Sequence, residues 1–180
     1  MSVEIILNRY TLILGDVGTG KTLLTSKFIK ELIRLGYDGD MYIIDLAPNI
    51  RNLGSRLSKY VYGFRNSIYR YSREIKAPRT EADSPEILRE YIERNYHVSL
   101  EFFKDFLKSG RKILVVNDLS IFLHYGEVSE LLNFIEYSDT FLGNSYYGVD
   151  IVDRFGLGID EVEREKVLEL ARYMDNVIRL

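Results

Sequence analysis

The chain has 180 residues, a net charge of −3 and 46% hydrophobic residues, enough for one domain with a real core and too few for two comfortable ones. The charge excludes a protein that binds polyanions over its whole surface, and the lack of cysteine excludes disulfides and thiolate metal sites. No apolar run approaches the roughly 18 residues that span a bilayer, and the start MSVEIILNRY lacks the basic region of a secretory signal. A soluble, cytoplasmic protein with no membrane partner is expected. Gln and Trp are absent while Ile, Glu, Lys and Arg are abundant, a balance that leans toward a thermophile.

In chain order, VEIIL (3–7) and YTLILG (10–15) read as short strands. A helix follows over about 20–35, with Leu23, Leu24, Phe28, Leu32 and Ile33 on one stripe and Gly36 as its stop. MYIIDL (41–46) is a continuous apolar strand ended by Pro48. Tyr60, Tyr62 and Phe64 alternate like a strand, as do Tyr69 and Tyr71. Ser84, Pro85 and Glu86 open a helix that runs to Ser109, with Gly110 as its stop. KILVVND (112–118) is the next strand, followed by a helical stretch over 120–137 broken at Gly126. DTFLG (139–143), a loop, a helix over about 159–173 and the strand NVIRL close the chain. Apolar strands alternating with helices predict an α/β fold: a three-layer α/β/α sandwich around a mainly parallel five-stranded sheet, in one domain over 1–180.

GDVGTGKT places Gly15, Asp16, Val17, Gly18, Thr19, Gly20, Lys21 and Thr22 between a strand and a helix. Glycines at that spacing let the backbone curl until several N–H groups face one anion, and the helix start adds positive potential. Lys21 can then reach the β and γ phosphates of a nucleotide, and Thr22 can offer its hydroxyl to Mg²⁺. Asp118 ends an apolar strand, where an acid is expected to hold Mg²⁺ through water; the bland alternative is a cap for LSIFLHY. Leu119 follows it, so the glutamate that often stands next, as the base for water, is missing. Asp45, Asn117 and Glu127 are the replacements on offer, and Asp45 could equally cap the turn before Ala47 and Pro48.

These motifs resemble the P-loop NTPase superfamily, and the run from NRYTLILGDVGTGKT through MYIIDLAPN is most similar to the RecA-like ATPases. The loop also resembles that of the tRNA-modification ATPase subunits of the threonylcarbamoyl pathway, whose later motifs are absent here. The resemblance implies ATP and Mg²⁺ as ligands, with ATP favoured because the guanine-reading Asn-Lys-x-Asp is missing. It implies that Asp45, ending a neighbouring strand, serves as base, and that Asn144 or Ser145 senses the γ-phosphate. It also implies strand order 5-1-4-3-2, with the 139–143 strand between the loop strand and the Asp118 strand. Many such relatives are rings, which makes a homo-oligomer an expectation.

Residues 51–79 form a basic aromatic insertion. Arg51, Arg56, Lys59, Arg65, Arg70, Arg73, Lys76 and Arg79 stand against a single acid, Glu74, a net of +7 on a chain of −3. Tyr60, Tyr62, Phe64, Tyr69 and Tyr71 are interleaved. Such a segment can track nucleic acid or a phosphorylated ligand, can lend an arginine such as Arg73 or Arg79 to a γ-phosphate, or can be a solvated hairpin. Arg79 and Glu81 also fall in a loop, 77–86, beside the expected site, while His97 and His124 lack metal-ligand spacing and read as structural, and Tyr146 and Tyr147 read as packing, with base stacking as the alternative. The expected function is Mg-dependent ATP binding and hydrolysis coupled to a partner. The alternatives are a nucleotide switch or assembly module with little turnover, a small-molecule or nucleotide kinase and, last, a corrinoid adenosyltransferase, against which the loop spacing speaks.

Overall fold

A computed structural model describes residues 3–48, 50, 55–62 and 64–180. Six strands, β1 (Tyr10–Gly15), β2 (Met41–Asp45), β3 (Ile68–Tyr71), β4 (Ile113–Asn117), β5 (Thr140–Tyr146) and β6 (Asn176–Arg179), form one sheet in the order β3-β2-β4-β5-β1-β6. Every pairing is parallel. The helices are α1 (Lys21–Arg34), α2 (Pro78–Glu81), α3 (Pro85–Ser109), α4 (Ser120–Leu123), α5 (Val128–Ile135) and α6 (Ile159–Ala171).

Alternate residues of the central strands feed two cores. Leu12, Leu14, Tyr42, Ile44, Leu114, Val116 and Phe141 pack with Phe103 and Phe106 of α3, with α4 and α5, and with Val167 and Leu170 of α6. Ile13, Ile43, Val115 and Leu142 pack on the other face with Phe28, Ile29 and Leu32 of α1 and with Leu57 and Val61. Strands buried on both faces explain why their sequences are apolar runs rather than alternations. The result is a three-layer α/β/α sandwich around an all-parallel sheet. Among the described residues no helix is long and apolar enough to cross a membrane.

The five expected strands lie in the expected order, read as β6-β1-β5-β4-β2. Three local expectations are corrected. The basic segment adds β3 as a sixth strand beside β2, so it is built into the sheet edge. VEIIL is a 3₁₀ turn over Val3–Ile5, because Val3 and Ile6 bury against the α1 side rather than alternating across a sheet. Tyr60, Tyr62 and Phe64 are not a strand: a 3₁₀ turn at Leu57–Lys59 turns Leu57 and Val61 inward and leaves Tyr62 85% exposed. Arg51 lies outside the described residues.

Candidate functional site

The carboxyl ends of β1, β4 and β5 open into a cavity of about 1010 Å³. Its wall includes Val17, Gly18, Gly20, Lys21 and Thr22 of the loop after β1. Gly18 and Gly20 have φ of 74° and 95°, and a Cβ at either would point into open space. Glycine is needed there for the backbone conformation, and the bare backbone leaves a cradle of N–H groups at the start of α1. The Lys21 ammonium donates to the carbonyls of Gly15 (2.9 Å) and Asp16 (2.6 Å). Burial lowers its pKa, and the nearby carboxylates of Asp118 and Asp16 oppose this only in part. Asp16 faces away from the cavity and binds the following loop. Its carboxylate accepts from the backbone N–H of Val17 (2.7 Å) and Val149 (2.9 Å). A Cβ at Gly148 would meet the Asp16 carboxylate, so a side chain there would have to displace it.

Asn117, the last residue of β4, is the one that meets Thr22. The Thr22 hydroxyl donates to Asn117 Oδ1 at 3.2 Å. Asn117 Nδ2 donates to Asp45 Oδ1 (2.7 Å) and to the Ser55 carbonyl (3.1 Å). Asp118 lies one residue further, with φ of 68°. That left-handed conformation is uncommon outside glycine, though Asp tolerates it, and it swings the carboxylate into the cavity wall. Burial pushes its pKa up, opposed by the Ser120 hydroxyl at 2.6 Å and by Lys21.

Asn144 is inside β5 rather than after it, and it is 1% exposed. Its Nδ2 donates to Asn117 Oδ1 (2.8 Å) and Thr25 Oγ1 (2.9 Å), and its Oδ1 accepts from the Asp118 N–H (3.0 Å). It therefore fixes the backbone that aims Asp118, while still lining the cavity. Ser145 is fully buried with a hydroxyl that has no hydrogen-bond partner among the described residues.

Asp45 is placed differently. It is 1% exposed and is not part of the cavity wall. Besides Asn117, its carboxylate accepts from the Leu57 N–H (2.7 Å), the Tyr69 hydroxyl (2.5 Å) and the Ala47 N–H (3.3 Å). Burial raises its pKa, and these four donors pull it back. Glu127 also stays away, exposed and 3.0 Å from Lys166.

Arg79 lines the cavity from α2 and is 7% exposed. Its guanidinium meets Asp160 at 2.7 Å and Glu163 at 2.5 Å and lies 5.2 Å from the Tyr146 ring centroid. Burial acts to lower its pKa, and the two carboxylates outweigh that and hold it high. Its charge is thus compensated inside the protein. Glu81, expected near the site, instead caps the Ala77 N–H at 2.7 Å.

Sequence reasoning missed Asp160 and Glu163 of α6; His124, read as structural, places its Nε2 3.2 Å from Glu163 Oε2. The i, i+3 spacing of Asp160 and Glu163 puts them on one helix face. Nothing local links that face to Arg79, 81 residues before Asp160.

Neither a protein-family model nor a curated protein matches the chain. Among solved structures it is similar to a crystal structure of Pif1 helicase from Candida albicans, with 13% identity and a TM-score of 0.38. The match covers 96% of this chain and 36% of the other, so the chain spans about a third of the length of that protein.

Proposed function

We propose that this chain binds Mg·ATP in the Gly15–Thr22 loop and hydrolyses it, with turnover coupled to a partner. The observation that carries this reading is the meeting of the loop, Asp118 and Asn144 on one cavity wall. A glycine cradle alone binds anions; a partly buried carboxylate in the same cavity adds a group that can act on water.

The residues fit Mg²⁺. The Thr22 hydroxyl and the Asn117 amide oxygen are hard oxygen donors 3.2 Å apart, with Asp118 on the same cavity wall. Thr22 would hold the ion, with Asn117 and Asp118 reaching it through water. Bound there, it neutralises charge on the phosphate oxygens.

The protein's own steps follow from the geometry. Lys21 exchanges two loop carbonyls for phosphate oxygens. Asn144 holds the Asp118 backbone still. Asp118, with its pKa raised, takes the proton of the attacking water. In this reading Asn117 stands where a metal-side acid is expected, and Asp118 stands where the missing glutamate is expected. Asp45 explains the amide at 117: a carboxylate there would face the buried Asp45 carboxylate. Asp45 is then a positioning residue rather than the base.

Phosphate release from Mg·ATP by the parent and by Lys21→Ala tests the proposal. Release that vanishes in the variant supports hydrolysis. Labelled ATP retained without release would favour the switch, and release only with an added acceptor would favour a phosphotransferase.

A further inference from the structure

The nucleotide reading leaves the basic aromatic segment unused. Of its described cations, Arg70 faces Asp105 at 3.8 Å and Lys76 faces Glu81 at 3.5 Å. Arg56, Lys59, Arg65 and Arg73 have no ion pair among the described residues. On a chain with 27 acids, four uncompensated cations within one short segment mark a surface for an anion.

The aromatics narrow the anion. The Arg56 guanidinium lies 4.7 Å from the Tyr71 ring centroid, and its Nη2 is fixed by the Ser72 carbonyl at 2.9 Å. Phe64 and Tyr69 are stacked with centroids 4.8 Å apart. Tyr62 and Tyr71 are 85% and 46% exposed. Exposed Tyr62 and Tyr71 beside guanidinium and ammonium groups that lack an ion pair suit a ligand with both phosphates and bases. Arg56, Lys59 and Tyr60 line the cavity that holds Lys21, whereas Tyr62, Arg65, Tyr71 and Arg73 are not part of its wall. A ligand that meets both sets has to cross the cavity rim, which a strand can do and a mononucleotide cannot.

The segment is also wired to the phosphate loop. Leu57 N–H and Tyr69 hydroxyl, both within it, donate to Asp45; Asp45 accepts from Asn117; and Asn117 accepts from Thr22. Every link is at least partly buried, so displacement at one end disturbs groups that have no water to fall back on.

We propose that Arg56, Lys59, Tyr62, Tyr71 and Arg73 form a surface for single-stranded nucleic acid, tied through Asp45 to the Lys21 and Thr22 end of the cavity. The binding stands alone; the tie rests on the nucleotide reading above.

The test is fluorescence anisotropy of a labelled oligothymidylate of about 20 nucleotides, long enough for several stacked bases, across a salt series. Binding should weaken with salt. The doubly exposed variant Tyr62→Ala/Arg73→Ala, with an unchanged melting curve, should lose about tenfold or more in affinity and about 1 from the salt slope. No binding at low salt, equal binding of polyglutamate, or equal competition by free thymidylate would each overturn the surface. For the tie, the strand should speed phosphate release, and Tyr69→Phe should bind the strand yet lose the stimulation. Stimulation that survives Tyr69→Phe overturns the tie. Labelled ATP, bound with or without strand, separates the failures: ATP binding without strand binding sinks this inference alone, and strand binding without ATP binding sinks the nucleotide reading and the tie.

Discussion

Neighbouring strands β2 and β4 each deliver an acid to the same edge of the sheet, Asp45 and Asp118, and the two carboxylates meet opposite fates. After β2 the chain folds back so that the backbone of Ala47 and Leu57 and the hydroxyl of Tyr69 close over Asp45. After β4 the turn takes a positive φ, and among the described residues only the Ser120 hydroxyl donates a hydrogen bond to the Asp118 side chain, which stays on the cavity wall. The same residue type is closed in by donors in one place and left on a cavity wall in the other. What separates them is how many donors the following loop returns to the carboxylate, because an oxygen that already accepts strong hydrogen bonds has little left for water.

That contrast is open to attack in four ways, taken from the largest effect down. Asp118→Asn should lower kcat for phosphate release by about 10²–10⁴ while KM for ATP barely moves, the usual size for losing a general base. Asp45→Asn should leave kcat within about tenfold of the parent. Steady-state kinetics on the pair decide it, and equal losses in the two variants would end the distinction.

Asn117→Asp should destabilise by about 3 kcal/mol, as expected when an uncompensated charge is buried. The swap Asp45→Asn/Asn117→Asp restores one amide and one carboxylate and should recover most of that loss. Urea unfolding of the singles and the double variant gives the coupling directly. A double variant no better than the sum of its parts would show that the Asp45–Asn117 bond is not the reason for the amide.

Asp45→Asn alone should cost about 1–3 kcal/mol, because an amide oxygen can serve some of the four donors while its NH₂ meets another donor. Thermal melts should show the loss whether or not ATP is present.

The smallest effect is in pH. Burial raises the Asp118 pKa, so the protonated form accumulates at a pH above the ordinary carboxylate range. The rate should fall as pH drops through that raised value, and Asp118→Asn should lack this acid limb. Stability moves the other way. A carboxyl whose folded pKa exceeds its unfolded value favours folding once protonated, and that contribution is lost as pH rises through the folded pKa. Asp118→Asn should therefore melt slightly higher than the parent at neutral pH.

The sequence by itself determined the frame and the loop. Continuous apolar runs, capped helices and GDVGTGKT are local signals, since strand burial, helix ends and glycine backbone each depend on a few neighbouring residues. They located five strands, the long helix from Pro85 to Ser109 and the cavity wall at Lys21. Tertiary structure alone decided where the acids sit and what they contact. From KILVVND the strand end reads as Asp118, yet the residue whose side chain reaches Thr22 is Asn117, because a positive φ turns Asp118 elsewhere. Asp45 looked reactive because it ends a strand, but its four donors come from as far as Asn117, 72 residues away. Arg79 looked free to serve a phosphate, but its two carboxylates come from α6, more than 80 residues on. Side-chain pairing across such separations has no period and no cap to announce it. It follows from which strand ends the sheet brings together.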